Sequence, residues 1–212
     1  MQVTQTAGTN VQYLAFNLTD PIFRDVRVRQ ALAYGIDRES IIKYLWRNQV
    51  RPAIGVLPPN NWAYNGDVKA YSYDPQRARE LLRSAGYDHL SFTYRVNSDN
   101  ATVVQMAAII QQQLREIGVA MELKGTEFAT FFADVIKGNF QAYSLRWIGA
   151  NNDPDIFNLI FHSKSVPPNG ANRGRYANQR FDQLIEFARR ETDLEKRKEA
   201  YKEVQRIVAE DL

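Results

Sequence analysis

Hydrophobic and polar residues alternate along this chain with two spacings, one typical of strands and one typical of helices. Strand-like runs cover residues 11–18, 90–96, 119–123 and 141–148. Apolar residues recur every three or four positions elsewhere and predict helices over 26–34, 37–46, 75–85, 101–117, 128–137 and 155–161, followed by two helices whose apolar stripes begin at Phe181 and Tyr201. The order strand, helix, strand, helix, strand between residues 90 and 148 favours an α/β fold, with a mainly parallel sheet flanked by helices.

Residues with known preferences for helix ends mark several of these boundaries. Asp37 and Asp74 are predicted N-caps, and Pro75 suits the first helical position. Thr192 and Glu195 have the spacing of a capping box, which predicts Thr192 as the N-cap of the last helix. Three glycines are predicted to end or break helices: Gly86, Gly118 and Gly138.

Two segments rich in Pro, Gly and Asn are predicted to be irregular. Residues 50–73 form a long crossing segment, and residues 163–177 form a loop. A loop as long as the first is usually functional or ordered by tertiary contacts. Because the chain shows no internal repeat, low-complexity tract or linker, we expect one α/β domain over residues 1–212.

Composition and charge narrow the function classes. The chain carries 27 basic and 24 acidic side chains, which gives a net charge of +3. Both signs alternate along the helical stretches, which indicates solvated helix faces and no nucleic-acid-binding surface. The absence of cysteine excludes disulfides, thiolate metal sites and a cysteine nucleophile. No apolar run reaches the roughly 18 residues of a membrane span, and the start lacks a signal-peptide pattern, as in a cytoplasmic protein, a mature chain or an excised piece.

Motifs for catalysis and cofactor binding are missing. His89 and His162 lack partners at metal-site spacing, and no nucleophile elbow, phosphate-binding loop or dinucleotide-binding glycine pattern occurs. Gly170 and Gly174 would suit a phosphate-binding nest, although a flexible loop is the commoner outcome of such a sequence. We therefore expect no catalytic residue, no metal site and no cofactor.

The segment 145–157 contains the residues best suited to binding a ligand. Trp147 lies near the end of the last predicted strand, and ligands of open α/β sheets lie beyond the carboxyl ends of strands. Its indole offers a flat apolar platform, and Asn151, Asn152 and Asp153 offer hydrogen-bonding groups. The same residues also fit a structural interpretation, in which Asn-Asn-Asp-Pro is a turn that begins a helix and Trp147 packs in the core.

An ordered series of short motifs extends over nearly the whole chain. The motifs are Tyr13-Leu14-Ala15-Phe16-Asn17, the block 25–39 (Asp-Val-Arg-Val-Arg-Gln-Ala-Leu-Ala-Tyr-Gly-Ile-Asp-Arg-Glu), the Pro and Gly residues of 52–59, the block 71–87, Gln113-Leu114 with Gly118, Glu127-Phe128, Trp147 with Asp153-Pro154, and Tyr176-Ala177-Asn178 with Phe181-Asp182 and Leu184. This series resembles the bacterial extracellular solute-binding proteins of family 5, the peptide and nickel type that deliver ligands to ATP-driven importers. The resemblance implies a lobe with a periplasmic-binding-protein-like fold (class II, cluster C), two lobes that close on a ligand, and no enzymatic activity.

The resemblance also implies roles for particular residues. In peptide-binding members, the tryptophan and an aspartate three residues later help to hold the charged amino group of the peptide. Trp147 matches, but Ala150 stands where the acid is expected, which weakens the case for recognition of a peptide amine. Arg146 would favour an anionic ligand if it faces the cleft, and would otherwise face solvent or an acidic neighbour. Trp62 and Tyr64 are a second candidate aromatic wall, or else pack against the sheet.

Family members begin with a signal peptide and a first lobe, and they continue past the last helix. The chain therefore resembles a second lobe alone, without the first lobe and the C-terminal tail, which implies half a cleft, poor affinity and an exposed apolar surface that invites self-association. The implied function is capture of peptides or similar small solutes for the membrane permease of an ABC importer, in the periplasm or outside the cell. Two other interpretations stay open: the ligand-sensing domain of a transcription regulator, and a hydrolase with dispersed carboxylates.

Overall fold

The computed structural model describes residues 8–148 and 153–211, and this part of the chain contains a four-stranded sheet. The strands are β1 (Val11–Phe16), β2 (Leu90–Asn97), β3 (Val119–Thr126) and β4 (Ala142–Trp147). They lie in the order β1-β4-β2-β3, in which β2 is parallel to both β3 and β4, and β1 is antiparallel to β4. The predicted α/β fold is confirmed, with a mixed sheet in which two of the three pairings are parallel.

Helices occupy most of the remaining described chain. They are α1 (Pro21–Arg24), α2 (Val26–Gly35), α3 (Arg38–Tyr44), α4 (Pro75–Ser84), α5 (Ala101–Glu116), α6 (Phe128–Lys137), α7 (Ile156–Phe161), a short 3₁₀ helix (Ser163–Ser165), α8 (Gln179–Arg190) and α9 (Leu194–Asp211). The single turn α1 was not predicted, because four residues are too few for a helical spacing to show. The carboxylate of Asp20 caps this turn by accepting a hydrogen bond from the N–H of Ile22 at 2.9 Å.

Aspartates begin helices where the sequence predicts them. The carboxylates of Asp37 and Asp74 accept hydrogen bonds from the backbone N–H groups of Ser40 and Arg77 at 3.0 and 2.8 Å. Each bond satisfies an N–H group that the start of a helix leaves without an internal partner. The predicted glycine stops have positive φ angles, which L side chains rarely adopt: Gly86 at 89°, Gly118 at 85° and Gly138 at 82°.

The predicted capping box at Thr192 is wrong. The carboxylate of Asp193 instead accepts hydrogen bonds from the N–H groups of Glu195 and Lys196 at 2.9 and 3.2 Å. Asp193 directly precedes Leu194, the first residue of α9. Its carboxylate therefore reaches both N–H groups, and its negative charge faces the positive end of the helix dipole.

The two faces of the sheet carry different hydrophobic clusters, because side chains alternate along a strand. The main core lies between one face and helices α2 and α5, with α4 packed against α2. Its largest fully buried side chains include Phe23, Leu32, Tyr94 and Leu114. The opposite face is covered by α6, and the cluster there contains Phe131, Val135, Phe140 and Tyr143.

A third group of buried residues, the helical cluster, joins the crossing segment 50–73 to α7, α8 and α9. Its buried members include Leu57, Ala63, Phe157, Phe181, Ile185, Tyr201 and Val204. Gln205 of α9 fixes the crossing segment, since its Oε1 accepts from the N–H of Asn65 at 3.1 Å and its Nε2 donates to the carbonyl of Ala63 at 2.8 Å. The long irregular segment is thus ordered by tertiary contacts. Within the described ranges, the helices are either too short or too polar to cross a lipid bilayer.

A buried arginine joins the main core to the end of α9. Arg29 lies on α2 and is 6% exposed. Its Nε and Nη2 donate to the carbonyl oxygen of Asp211 at 2.8 and 2.5 Å, and its Nη1 donates to the carbonyl of Phe23 at 2.6 Å. The hydroxyl of Tyr176 donates to the carboxylate of Asp211 at 2.6 Å. A cation at the end of a helix satisfies carbonyls that have no internal partner and faces the negative end of the helix dipole.

Replacing Arg29 should destabilise the whole fold. Arg29→Gln leaves the carbonyls of Asp211 and Phe23 without a charged donor, so the free energy of unfolding should fall by about 3 kcal/mol. Urea denaturation followed by circular dichroism measures this change. The control is Arg77→Gln, which removes an exposed pair with Glu80 (3.1 Å) and should cost less than about 1 kcal/mol. Equal losses in both variants would contradict the role given to Arg29.

Tyr71 should make stability depend on alkaline pH. Burial raises the pKa of Tyr71 from 10.0 to about 12, and its hydroxyl donates to the carbonyl of Ala209 in α9 at 2.9 Å. Because the folded-state pKa is raised, the unfolded chain loses its proton first, and the stabilisation present below pH 10 is lost between pH 10 and about 12. The free energy of unfolding should therefore fall less steeply over this range in Tyr71→Phe than in the wild type. Parallel pH profiles, measured by denaturant titration, would count against this assignment.

Candidate functional site

One side of the sheet, here called the carboxyl edge, contains the carboxyl ends of three strands and the start of the fourth. The strands β2, β3 and β4 run parallel and end there, and β1 begins there because it is antiparallel to β4. The residues at this edge are Asn97, Thr126, Trp147 and Val11. Trp147 is the last residue of β4, pairs with Val11 and is half-buried. Part of its indole is therefore accessible at the edge where ligands of open α/β sheets bind.

Trp147 and Arg146 point to opposite faces of the sheet. Directly paired residues of adjacent strands share a face, and Trp147 pairs with Val11 whereas Arg146 pairs with Gln12. Trp147 therefore lies on the face that α6 covers, together with Leu145. Arg146 is exposed on the face of the main core. A solute stacked on the α6 side of Trp147 would not meet Arg146 on that face.

Asp153 takes part in the turn that begins α7. Its Oδ1 accepts a hydrogen bond from the N–H of Asp155 at 2.9 Å. Asp155 in turn pairs with Nε of Arg189 at 2.9 Å, and burial raises the pKa of Asp155 while Arg189 opposes that shift. The turn chemistry expected of this segment thus accounts for the contacts of Asp153, which is exposed. Three other residues of interest lie outside the described residues: Ala150, Asn151 and Asn152.

Trp62 and Tyr64 both belong to the helical cluster. The ring of Trp62 meets the ring of Tyr201 edge-on with centroids 5.9 Å apart, and the guanidinium of Arg197 lies 5.3 Å from the centre of the Trp62 ring. These aromatic residues therefore pack against the helical cluster and α9 and not against the sheet, because the crossing segment is fixed along α9. Their role as a second ligand wall stays a prediction.

The α6 face near Trp147 carries a group of side chains that sequence reasoning did not single out. Arg173 donates from Nη1 to the hydroxyl of Tyr13 at 3.4 Å, and its guanidinium carbon lies 5.4 Å from the centre of the Phe132 ring. Phe128 stacks on Phe132 with centroids 5.6 Å apart and is 48% exposed. Tyr13 lies on β1, on the same face as Trp147. It is two residues from Val11, the strand partner of Trp147. The structure thus brings an arginine and aromatic rings close to the predicted platform.

Close packing of the loop 163–177 explains how Arg173 reaches this face. Gly174 has no room for a side chain, since an added Cβ would lie 2.8 Å from the carbonyl oxygen of Phe16 in β1. Gly170 is similarly crowded by Ser165. Both glycines therefore allow close packing of the loop against its neighbours. Gly174 next to Arg173 was the sequence signal for this close packing. The sequence does not show, however, that Gly174 lies against Phe16.

Two concavities of the described chain lie away from the carboxyl edge. One of about 480 Å³ lies between α8 and α9 and is lined by residues such as Leu184 and Phe187. The other, of about 500 Å³, lies at the opposite end of β3 beside Val119. Neither is lined by Trp147 or Arg173. Over residues 8–148 and 153–211, no group of three or more His, Asp or Glu side chains is placed to hold a metal ion.

Comparison with known proteins decides the family. The family model for bacterial extracellular solute-binding proteins, family 5 (middle region), matches residues 1–168. This chain belongs to the family 5 bacterial extracellular solute-binding proteins. The resemblance seen in the sequence is thereby confirmed. The family model describes solute-binding proteins, so the comparison gives no support to the hydrolase or the transcription-regulator interpretation.

This family 5 chain is similar to proteins whose names refer to several kinds of ligand. The dipeptide-binding protein of Escherichia coli (strain K12) is 31% identical over 98% of this chain and 40% of its own length. Heme-binding protein A of Haemophilus influenzae is 33% identical over 98% of this chain and 39% of its own. The crystal structure of NikZ from Campylobacter jejuni in complex with Ni(L-His) has a TM-score of 0.88 at 30% identity, and the match covers 97% of this chain and 44% of NikZ. The chain thus spans about two fifths of the length of these relatives.

The packing of Trp62 predicts a loss of stability when its ring is removed. Trp62→Ala should lower the free energy of unfolding by about 2 kcal/mol, because a half-buried indole and its edge contact with Tyr201 are lost. Trp62→Phe should recover part of this loss. The control is Tyr44→Ala, at an aromatic residue that is 72% exposed, where a small change is expected. A Trp62→Ala variant as stable as the wild type in urea would show that the indole contributes nothing to packing.

Proposed function

We propose that this chain forms one lobe of the substrate-binding component of a bacterial ABC importer. It would capture a peptide or a similar small solute between its carboxyl edge and a second lobe. The observation that carries this proposal is the half-buried Trp147 at the carboxyl edge of an open α/β sheet, in a member of a solute-binding family.

Capture by this lobe requires no chemical step. Two lobes that close about a hinge bury the solute between them, and the indole of Trp147 supplies an apolar platform on one side. Ligand sites normally bury most of the ligand surface, so one wall alone should bind weakly. Ile148 and Phe128 are 67% and 48% exposed, and such apolar surface would favour self-association when the second wall is missing.

A membrane permease is the proposed partner of the loaded protein, in the periplasm or outside the cell. Peptides are the proposed ligands because a dipeptide-binding protein is among the relatives that match nearly the whole chain. The sequence places Ala150 where the family resemblance implies an acid that pairs with a peptide amino group. The amino group is therefore not the proposed anchor, and the platform of Trp147 and other polar groups would hold the solute.

The test measures whether added dipeptides stabilise the complete gene product that contains this chain. A dipeptide library should contain members that raise the melting temperature, since a ligand at 100 times its dissociation constant stabilises the folded state by about 2.7 kcal/mol. Trp147→Ala should weaken binding of these members by about tenfold or more, equal to about 1.4 kcal/mol. Tyr44→Ala, at an exposed aromatic residue on α3, is the matched control and should bind as the wild type does.

Two results would contradict this proposal. The first is a wild-type melting temperature that no dipeptide or other small solute changes, which would argue against solute capture as such. The second is full binding by Trp147→Ala, which would place the solute away from the carboxyl edge.

A further inference from the structure

We infer that Arg173 binds an anionic group of the captured solute, a carboxylate in the simplest case. This inference rests on the proposed function and names the solute class and the residue that selects it. It concerns the face of the sheet covered by α6, where Arg173, Tyr13 and Phe132 meet.

Arg173 is a half-buried cation without an anionic partner in the described part of the chain. Its Nε is buried and has no hydrogen-bond partner among the described residues. None of the ion pairs formed by the described residues includes Arg173. Its hydrogen bond to the hydroxyl of Tyr13 is long, at 3.4 Å. By contrast, Arg95 on the same face pairs with Asp134 at 2.8 Å.

This arrangement favours an incoming anion. Withdrawing a guanidinium from water costs free energy unless an anion or several acceptors replace the lost water, so a carboxylate beside the guanidinium of Arg173 would offset that cost. A guanidinium presents its N–H groups in one plane, in pairs that match the two oxygens of a carboxylate. The ring of Phe132 lies 5.4 Å from the guanidinium carbon and holds its plane from one side.

Two tyrosine side chains pack beside Arg173. The rings of Tyr13 and Tyr143 meet edge-on with centroids 6.0 Å apart. Tyr143 is buried, and burial raises its pKa well above the usual value while Arg173 opposes that shift. A protonated phenol carries no negative charge, so these side chains leave the positive charge of Arg173 unmatched.

Arg173 contacts the same face of the sheet as Trp147. Tyr13, which Arg173 contacts, pairs with Leu145, and Leu145 lies two residues before Trp147 on the same face. Residues two apart on a strand are separated by about 7 Å. One small solute could therefore place an apolar part on Trp147 and an anionic group at Arg173. Arg146 cannot take this role together with Trp147 on this face, because it lies on the other side of the sheet.

Paired solutes that differ in one charge test the inference on the complete gene product. The first pair is alanyl-phenylalanine and its C-terminal amide, and the second pair is 3-phenylpropionate and its amide. Their binding is measured by isothermal titration calorimetry. The wild type should bind the acid of at least one pair about tenfold more tightly than the amide, the size of one charge-assisted hydrogen bond. Arg173→Gln should bring the ratio of the two affinities close to one. Arg173→Lys should keep part of the preference for the acid.

A second arginine of the same loop supplies the matched control. Arg175 donates from Nη2 to the carbonyl of Lys137 at the end of α6, at 3.2 Å. Arg175→Gln should keep the full preference for the acid. The melting temperature of each variant without solute separates a loss of folding from a loss of recognition, and a purely structural Arg173 would leave the ratio of affinities unchanged in any folded variant.

The outcomes separate this inference from the proposed function. Binding of other solutes without a preference for acids, or an acid preference that survives in Arg173→Gln, overturns the inference and leaves solute capture standing. Loss of the acid preference in an Arg146→Gln variant would place the anionic anchor on the other face and also overturn the inference. If no small solute of any charge binds the wild type, both proposals fail.

Discussion

The arrangement of this fold depends on the contact between Arg29 and the end of α9. The main core and the helical cluster are separate hydrophobic clusters, and the final carbonyl of α9 is held by a guanidinium that belongs to the main core. The same helix carries Tyr201 and Gln205, which position Trp62 and the crossing segment. The cation also satisfies acceptors that a helix end leaves free, so one side chain fixes the helix position and removes a buried polar defect.

Local elements of the fold could be predicted because their causes are local. Periodicity, aspartate caps and glycines with positive φ act within a few residues, and the elements they predict are present. The single turn α1 was missed because it is too short to show a helical spacing, and the cap at Asp193 was missed because its neighbour Thr192 suits the same role. The pairing of β1 with β4 joins distant parts of the chain. Nothing in the periodicity of either strand specifies its partner, so the sheet order required the three-dimensional structure.

The motifs that reveal the family mainly hold the fold together. Asn17, the last residue of the first motif, is buried, and its Nδ2 donates to the carbonyl of Phe140 at 3.1 Å. Arg29 in the block 25–39 is buried at the end of α9. Neither side chain lies at the carboxyl edge. These motifs therefore identify the family without describing the solute, because the same scaffold can present different side chains at its edge.

The candidate site was predictable where strand geometry determines it, and unpredictable where a distant loop completes it. The rule that ligands lie beyond the carboxyl ends of strands led to Trp147, and the two-residue period of a strand separates it from Arg146. Arg173 arrives from the loop 163–177 because Gly174 lets that loop touch β1. An indole and an arginine without an anionic partner among the described residues then lie on one face. Since such a cation gains most from a carboxylate, the charge left unmatched by the fold supports the proposed anionic solute, on which the family motifs give no information.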